Sequence, residues 1–351
     1  MKTPAPLPPA LHGSTFSSAQ ARESGVPQKR LRAQDIRRIG WGLYQHLPLQ
    51  HDAEAGTPLA LAEDSALPST GIAVYSGPGL ETPYALPAEL GTQRLALLRA
   101  LSSQLDDGAR FSHSTAALLL GLPLPTRLAR RAERGEVEIS RMHTTSSARF
   151  TGLVCHRAQQ QPEETAAVMG LRISRPGRVL VDLMPRLRPE ELVVLGDQLV
   201  RVPHPRLDVR TLPWETPDSL AALLRQHPST DGIVAAREAL DLVRVGADSP
   251  PETLLRLALM EDGFPEPQLQ VRAAPGSTWS GDLGWEEIKV VVQYEGKHHF
   301  SAGQQISDAQ RDHAFRSAGW IVLHTNAVDM RQGFPLIRRR LRIELRRAGL
   351  L

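Results

Sequence analysis

The chain has one cysteine, Cys155, in 351 residues. No internal disulfide is possible, a zinc site built on several thiolates is excluded, and the cytoplasm is the expected compartment. Long apolar runs are also missing. The longest, around residues 116–122, falls far short of the ~20 residues that span a bilayer, so no membrane association is expected. The N-terminus carries Lys2 and several prolines but no apolar stretch, so a secretory signal is not expected. Lysine is scarce. Of 41 basic residues four are lysine (Lys2, Lys29, Lys289 and Lys297), leaving 37 arginines. In such a chain each lysine invites a chemical reason.

What is present is ordinary for a folded protein: 41% hydrophobic and 23% charged residues, which excludes a wholly disordered or fibrous chain. The length suggests two or three domains. The net charge of +3 says little, but its distribution says more. Residues 1–47 hold seven basic residues (Lys2, Arg22, Lys29, Arg30, Arg32, Arg37, Arg38) against Glu23 and Asp35. Residues 48–93 hold six acids and no Lys or Arg. The end is arginine-rich, with Arg338, Arg339, Arg340, Arg342, Arg346 and Arg347. A basic head and tail suit a polyanion such as double-stranded DNA, although a solvated helix face explains any one cluster.

Along the chain, residues 1–14 are rich in Pro, Ala and Gly and read as disordered. Residues 15–47 read as a short helix stopped at Gly25, a second basic helix opened by Pro27, and a ribbon. That is the order of a winged helix-turn-helix, and it would place Lys29, Arg30 and Arg32 on the DNA-reading helix. Residues 48–91 read as an acidic Pro/Gly-rich linker or loop. Residues 92–246 read as an α+β middle domain. It has helices at 92–107, 176–184, 188–201 and a pair in 218–245, and short strands at 137–140 and 153–156. His113 lacks a partner pattern and reads as a helix-start residue.

The texture changes at Ser249. Ser249-Pro250-Pro251-Glu252 opens a helix, with serine as cap, proline in the first turn and glutamate three after the cap. Residues 281–285 and 288–295 read as two strands with Glu286-Glu287 at the turn, followed by a helix at 301–318, a strand at 320–324 and the arginine-rich helix. Side chains two apart on a strand share a face. Ile288, Val290, Val292 and Tyr294 therefore form one face, and Gln293, Glu295 and Lys297 the other. The neighbouring strand brings Asp282 to the same end, giving Asp282, a hairpin, then Glu295-Gly296-Lys297. Carboxylates in this arrangement can hold Mg²⁺ through oxygen, with Glu252 completing the set. A lysine beside them can orient water or stabilise a phosphorane, and His298 or His299 can move a proton near neutral pH.

At these residues the sequence resembles the PD-(D/E)XK, or restriction-endonuclease-like, nucleases, in the branch related to very-short-patch-repair endonucleases. The carriers are Ser249-Pro250-Pro251-Glu252, Gly281-Asp282-Leu283-Gly284-Trp285, Val292 to His299, Asp308-x-x-Arg311-Asp312 and Ala318-Gly319-Trp320-Ile321-Val322. Their order is similar to endonuclease-domain proteins common in actinobacteria, whose second strand ends E-x-D-G-x-x-H. Gln293 stands where that pattern has Glu, and Glu295 where it has Asp; His299 matches its histidine. Residues 16–44 resemble the winged-helix start of AbiEi-type antitoxins.

The resemblance implies an α+β protein: an N-terminal winged helix, an α+β middle, and a C-terminal α/β/α nuclease core over residues 249–351. It implies Mg²⁺- or Mn²⁺-dependent hydrolysis of DNA, with Asp282, Glu295, Lys297, His299 and Glu252 as site residues. Asp282, Glu295 and Glu252 would hold the metal, and Lys29, Arg30, Arg32 and Arg311 would contact DNA. A defence or toxin–antitoxin partner fits the same picture. Two plainer readings stand beside it. Glu252 fits a capping box without any metal, and Asp308 with Arg311 fits an exposed salt bridge. The rival function is a non-catalytic DNA-binding regulator with a degenerate nuclease core.

Overall fold

The computed structural model describes residues 4–40, 42–47, 91–142, 152–158, 162–203, 210–296 and 302–351. The chain is a mixed α+β protein in two compact units, the second built mainly from Leu180–Leu351. The expected linker at 48–90 lies outside the described residues, as do Lys297, His298 and His299. Among the described residues no helix is long and apolar enough to cross a membrane.

The first unit opens with β1 (Thr15–Ser17), α1 (Ser18–Glu23), β2 (Ile36–Gly40) and β3 (Leu43–His46), the strands lying in the order β1-β3-β2. Ser17 caps α1 by accepting from the Gln20 N–H, and the Gln20 amide oxygen returns the bond to the Ser17 N–H. Two expectations fail here. The segment before Ser14 is not loose, because Leu7 and Leu11 are buried with Phe16, Ala21 and Leu31. The second, DNA-reading helix is only a 3₁₀ turn, Arg30–Arg32. Between Gln28 and Gln34 the one large apolar side chain is Leu31, so no helical stripe exists to bury, and a helix that short does not hold alone.

This head does not stand free of the middle region. The helix α2 (Gly91–Ser102) is followed by Ser103 and Gln104, which donate to Ser17 Oγ and to the Gly42 carbonyl at 3.1 and 3.0 Å. The rest of the unit is β4 (Arg110–Phe111), α3 (His113–Leu119), α4 (Thr126–Glu133), β5 (Val137–Arg141), β6 (Leu153–Arg157), β7 (Thr165–Val168) and β8 (Leu171–Ser174). These five strands form a sheet in the order β6-β5-β4-β8-β7, and α5 (Pro176–Leu183) leaves it.

The second unit holds α6 (Pro189–Val200), α7 (Pro217–Gln226), α8 (Ile233–Asp241) and α9 (Pro250–Glu261). It continues with β9 (Gln268–Arg272), β10 (Ser280–Trp285), β11 (Val290–Glu295), α10 (Ala302–Ser317), β12 (Ile321–Asn326), α11 (Ala327–Arg331) and α12 (Pro335–Arg347). The sheet order is β12-β11-β10-β9, antiparallel except for the parallel β11–β12 pair. In β11 the run Val290-Val291-Val292 is buried on both faces. Val290 and Val292 join Leu255 and Leu259 of α9 and Ile337, Leu341 and Leu345 of α12. Val291 joins Phe315 of α10 and Trp320. The sheet therefore lies between α9 and α12 on one side and α10 on the other. The spacing of Ile337, Leu341 and Leu345 turns the arginines of α12 outward.

The expected domain boundary at 246–249 is not a boundary. Arg256 of α9 meets Asp197 of α6 at 3.0 Å, and both side chains are fully buried. Asp197 also accepts from the Arg244 N–H and from Thr253 Oγ1, at 2.7 and 2.8 Å. Arg256 donates to the Leu242 carbonyl at 2.8 Å. The helices α6 to α8 and the last sheet thus share an interior. Removing one partner of a buried pair leaves an uncompensated charge, at a cost of about 3–5 kcal/mol. Arg256→Met should lower urea stability by that much, and Asp197→Leu/Arg256→Met should recover most of it. A single variant as stable as the wild type would show that the pair is not holding the unit together.

Candidate functional site

The site grows from an interruption in a sheet. The strands β10 and β11 pair from Leu283↔Val292 to Trp285↔Val290. At the next step the Tyr294 N–H donates instead to Asp282 Oδ2, at 2.6 Å. Gly281 permits this bend, since a Cβ there would fall 2.3 Å from Val291 Cγ2 and 3.2 Å from Gln293 Nε2. Asp282 thus stands at the end of β11, where the hairpin pattern placed it. Burial pushes its carboxyl up to about 6; the Tyr294 N–H and the charges of Arg311 and His324 oppose that rise, and Asp248 adds to it.

Glu252 comes from the first turn of α9 and is buried. Its Oε1 accepts from Ser249 Oγ at 2.6 Å and its Oε2 from the Asp248 N–H at 2.9 Å. This is not the ordinary capping box, because the serine hydroxyl is turned to the glutamate rather than to a backbone N–H. Burial and, next, the Asp282 charge raise the Glu252 pKa well above the usual range. A buried carboxylate whose ionisation is opposed by the charge of a half-buried neighbour is a place where a cation would relieve the cost.

Glu295 does not join them. Its side chain is 59% exposed and stands 2.9 Å from His324 Nδ1. The other ring nitrogen of His324 lies 3.0 Å from Asp312 Oδ2, which also accepts from Arg316 at 2.8 Å. Among the described residues no three His, Cys, Asp or Glu side chains gather so as to hold a metal ion. Asp282 and Glu252 fit such an ion as oxygen donors; Glu295, as placed, does not.

Gln293 shares the α10 side of the sheet with Val291 and lies beside His324 in the parallel register. It is 1% exposed, and neither amide atom has a hydrogen-bond partner among the described residues. His324 escaped the sequence reading because only the β11–β12 register puts it next to Gln293. Arg311 makes the expected helical pair with Asp308, at 3.1 Å.

The N-terminal set divides. Lys29 and Arg32 are exposed. Arg30 is not available for DNA. Its guanidinium grips Asp35 through two hydrogen bonds, its Nε donates to the Ala5 carbonyl at 2.6 Å, and its side chain is 9% exposed. That grip holds the Asp35 carboxyl below its usual range. In the same unit His113 does acquire partners. Its Nδ1 is 2.9 Å from Ser112 Oγ, and its ring stacks on His156 with centroids 3.6 Å apart.

Comparison with known proteins adds little. No family model matches the chain, and no solved structure matches it. It is 30% identical over 104 residues to uncharacterized proteins from two strains of Mycobacterium tuberculosis. The match takes in 29% of this chain and spans 38% of the length of those relatives.

Asp282 carries a testable pH signature. Its folded pKa is raised above the unfolded value, so its contribution to stability is greatest below about pH 4 and is lost as pH rises through about 6. Asp282→Asn keeps an acceptor for the Tyr294 N–H but cannot ionise. In EDTA it should melt above the wild type at pH 8, and the gain should vanish near pH 4.5. A pH-independent difference would refute the raised carboxyl.

Proposed function

We propose that the second unit hydrolyses phosphodiester bonds of double-stranded DNA with the help of Mg²⁺ or Mn²⁺. The observation that carries this is the pairing of half-buried Asp282 with buried Glu252, two carboxylates from different elements, the charge of the first raising the pKa of the second. Carboxylates are placed so against their own electrostatics where chemistry needs them. The sheet order and its helices on both faces are compatible with the restriction-endonuclease-like core that the sequence motifs resemble.

Asp282 and Glu252 would hold the cation, which supplies neutralisation of charge on the scissile phosphate. Tyr294 fixes one oxygen of Asp282, and Ser249 with Asp248 fixes Glu252, so neither carboxylate must reorganise on binding. Lys297 and His299 stand two and four residues after Glu295 in the sequence and are the groups to orient and deprotonate the attacking water in this reading. Exposed Lys29, Arg32 and the outer arginines of α12 offer phosphate contacts elsewhere on the chain. A defence or toxin–antitoxin partner would fit a DNA-directed enzyme of this kind.

A second reading has its own support. Gln293 supplies an amide where a third carboxylate would strengthen the site, and Glu295 is turned to His324. A regulator that binds DNA without cutting it would tolerate both.

Supercoiled plasmid separates the two. The wild type should yield nicked or linear DNA with Mg²⁺ and none in EDTA, and Asp282→Asn should abolish cleavage while still binding. Intact plasmid at stoichiometric protein and Mg²⁺, with DNA bound, favours the regulator. A second measurement concerns the head. Lys29→Ala/Arg32→Ala should weaken DNA binding and reduce its log–log salt slope by about 2, one for each phosphate contact. An unaltered slope would remove the head from the DNA interface.

A further inference from the structure

Buried polar atoms without partners are rare in folded proteins, and each calls for an explanation. Several of them collect on one surface here, between β11, β12 and α10. They are Gln293 Nε2 and Oε1, Arg311 Nε, Asp312 Oδ1 and His324 Nδ1, none with a hydrogen-bond partner among the described residues. His324 Nδ1 has Glu295 Oε1 at 2.9 Å, but not aligned as a hydrogen bond. Gln293 is the most telling, because it is buried to 1% exposure and its side chain lies against the backbone of Gly281, next to Asp282. The three possible donors are of the kind that receive an oxyanion: an amide N–H, a guanidinium N–H and an imidazole N–H.

We infer that Gln293, Arg311 and His324 form a phosphate subsite beside Asp282, whose Gln293 Nε2, Arg311 Nε and His324 Nδ1 have no hydrogen-bond partner among the described residues and await an oxyanion. In the DNA-cleaving reading the occupant is a phosphodiester group of the bound strand, and that identification rests on the reading; the subsite itself does not. Gln293 and Arg311 give their N–H groups to phosphate oxygens. Gln293 Oε1 and Asp312 Oδ1 remain as acceptors for water that accompanies the phosphate. Glu295 is the resident competitor. Its carboxylate occupies the approach to His324 Nδ1, and being mostly exposed it can leave for solvent when the phosphate arrives. Gln293 is thus a positioning residue whose amide, without a partner among the described residues, is held for the ligand.

Such a residue should work against stability and for binding, the reverse of a structural glutamine. Gln293→Met matches the side chain in length and removes both orphaned atoms. In phosphate-free buffer with EDTA the variant should melt at or above the wild type. Its affinity for inorganic phosphate, by calorimetric titration, should fall about tenfold, the worth of one hydrogen bond to a charged ligand. Glu295→Gln should tighten phosphate binding by freeing His324. A lower melting temperature with unchanged phosphate affinity in Gln293→Met would make the amide a structural or water-bound group and overturn the inference. So would a wild type without phosphate affinity, or no tightening in Glu295→Gln. Anisotropy with a labelled duplex in EDTA then identifies the source. A matching loss in Gln293→Met assigns the subsite to the DNA backbone, and a loss for inorganic phosphate alone overturns that assignment. If plasmid stays uncut while phosphate binding depends on Gln293, the nuclease reading falls and the subsite stands; cleavage without that dependence does the opposite.

Discussion

Arg256 and Asp197 are buried together without access to water, and the second unit is arranged around that fact. A guanidinium taken out of water is tolerable only if its donors are met. Asp197, the Leu242 carbonyl and Glu266 meet its two terminal nitrogens, from α6, the end of α8 and the approach to β9, while Nε has no partner among the described residues. Each of these contacts comes from a different stretch of chain, so the pair dictates how three helices and the sheet converge. The helix α9 is the common member. It carries Arg256 toward the helical layer, Leu255 and Leu259 toward the sheet, and Glu252 toward the candidate site. An interaction with no chemical role of its own thereby sets the position of a carboxylate in the candidate site.

The candidate site is costly to the free protein in two separate ways. Burial and the Asp282 charge make Glu252 harder to ionise, burial and Asp248 do the same to Asp282, and Gln293 holds two buried polar atoms with no protein partner among the described residues. An unsatisfied buried polar group costs about 1–3 kcal/mol. Both penalties point to the same end of β11, and both are of the kind that a bound cation and a bound oxyanion would relieve together. These penalties sit at one sheet end, in a unit otherwise packed by Val290, Val291, Val292, Phe315 and Leu341.

Much of this was legible in the sequence, and what was not has physical causes. The pattern of residues 288–295 announced β11 and its two faces, although Ile288 lies in a 3₁₀ turn and the strand starts at Val290, and Asp282 falls where the hairpin pattern put it. The start of α9 at Ser249-Pro250-Pro251-Glu252 and the arginine-rich α12 were equally plain, although Ser249 turns its hydroxyl to Glu252 instead of capping. The strand β9 was missed because its alternation is broken. Gln270 has φ +52°, so Leu269 and Val271 serve opposite clusters instead of one face. The second helix of the head was overread because basic residues after a proline look helical, although a single buried leucine cannot anchor a helix. Arg30 was assigned to DNA on charge alone, when its charge is spent on Asp35. His324 could not be found, since its neighbours are set by a parallel pairing across a helical crossover. Pairings of that kind leave no trace in local periodicity.

The solitary thiol has a practical meaning. Cys155 lies on an exposed position of β6, with burial of its sulfur raising the pKa above the ordinary thiol value. With no second cysteine to compete, a maleimide dye or nitroxide will attach at one place in the first unit and nowhere else. The elevated pKa keeps most of the sulfur protonated near neutrality, so alkylation will be slow there and quicken in mild base. The native chain therefore comes ready for single-position spectroscopy, without the usual prior removal of surplus cysteines.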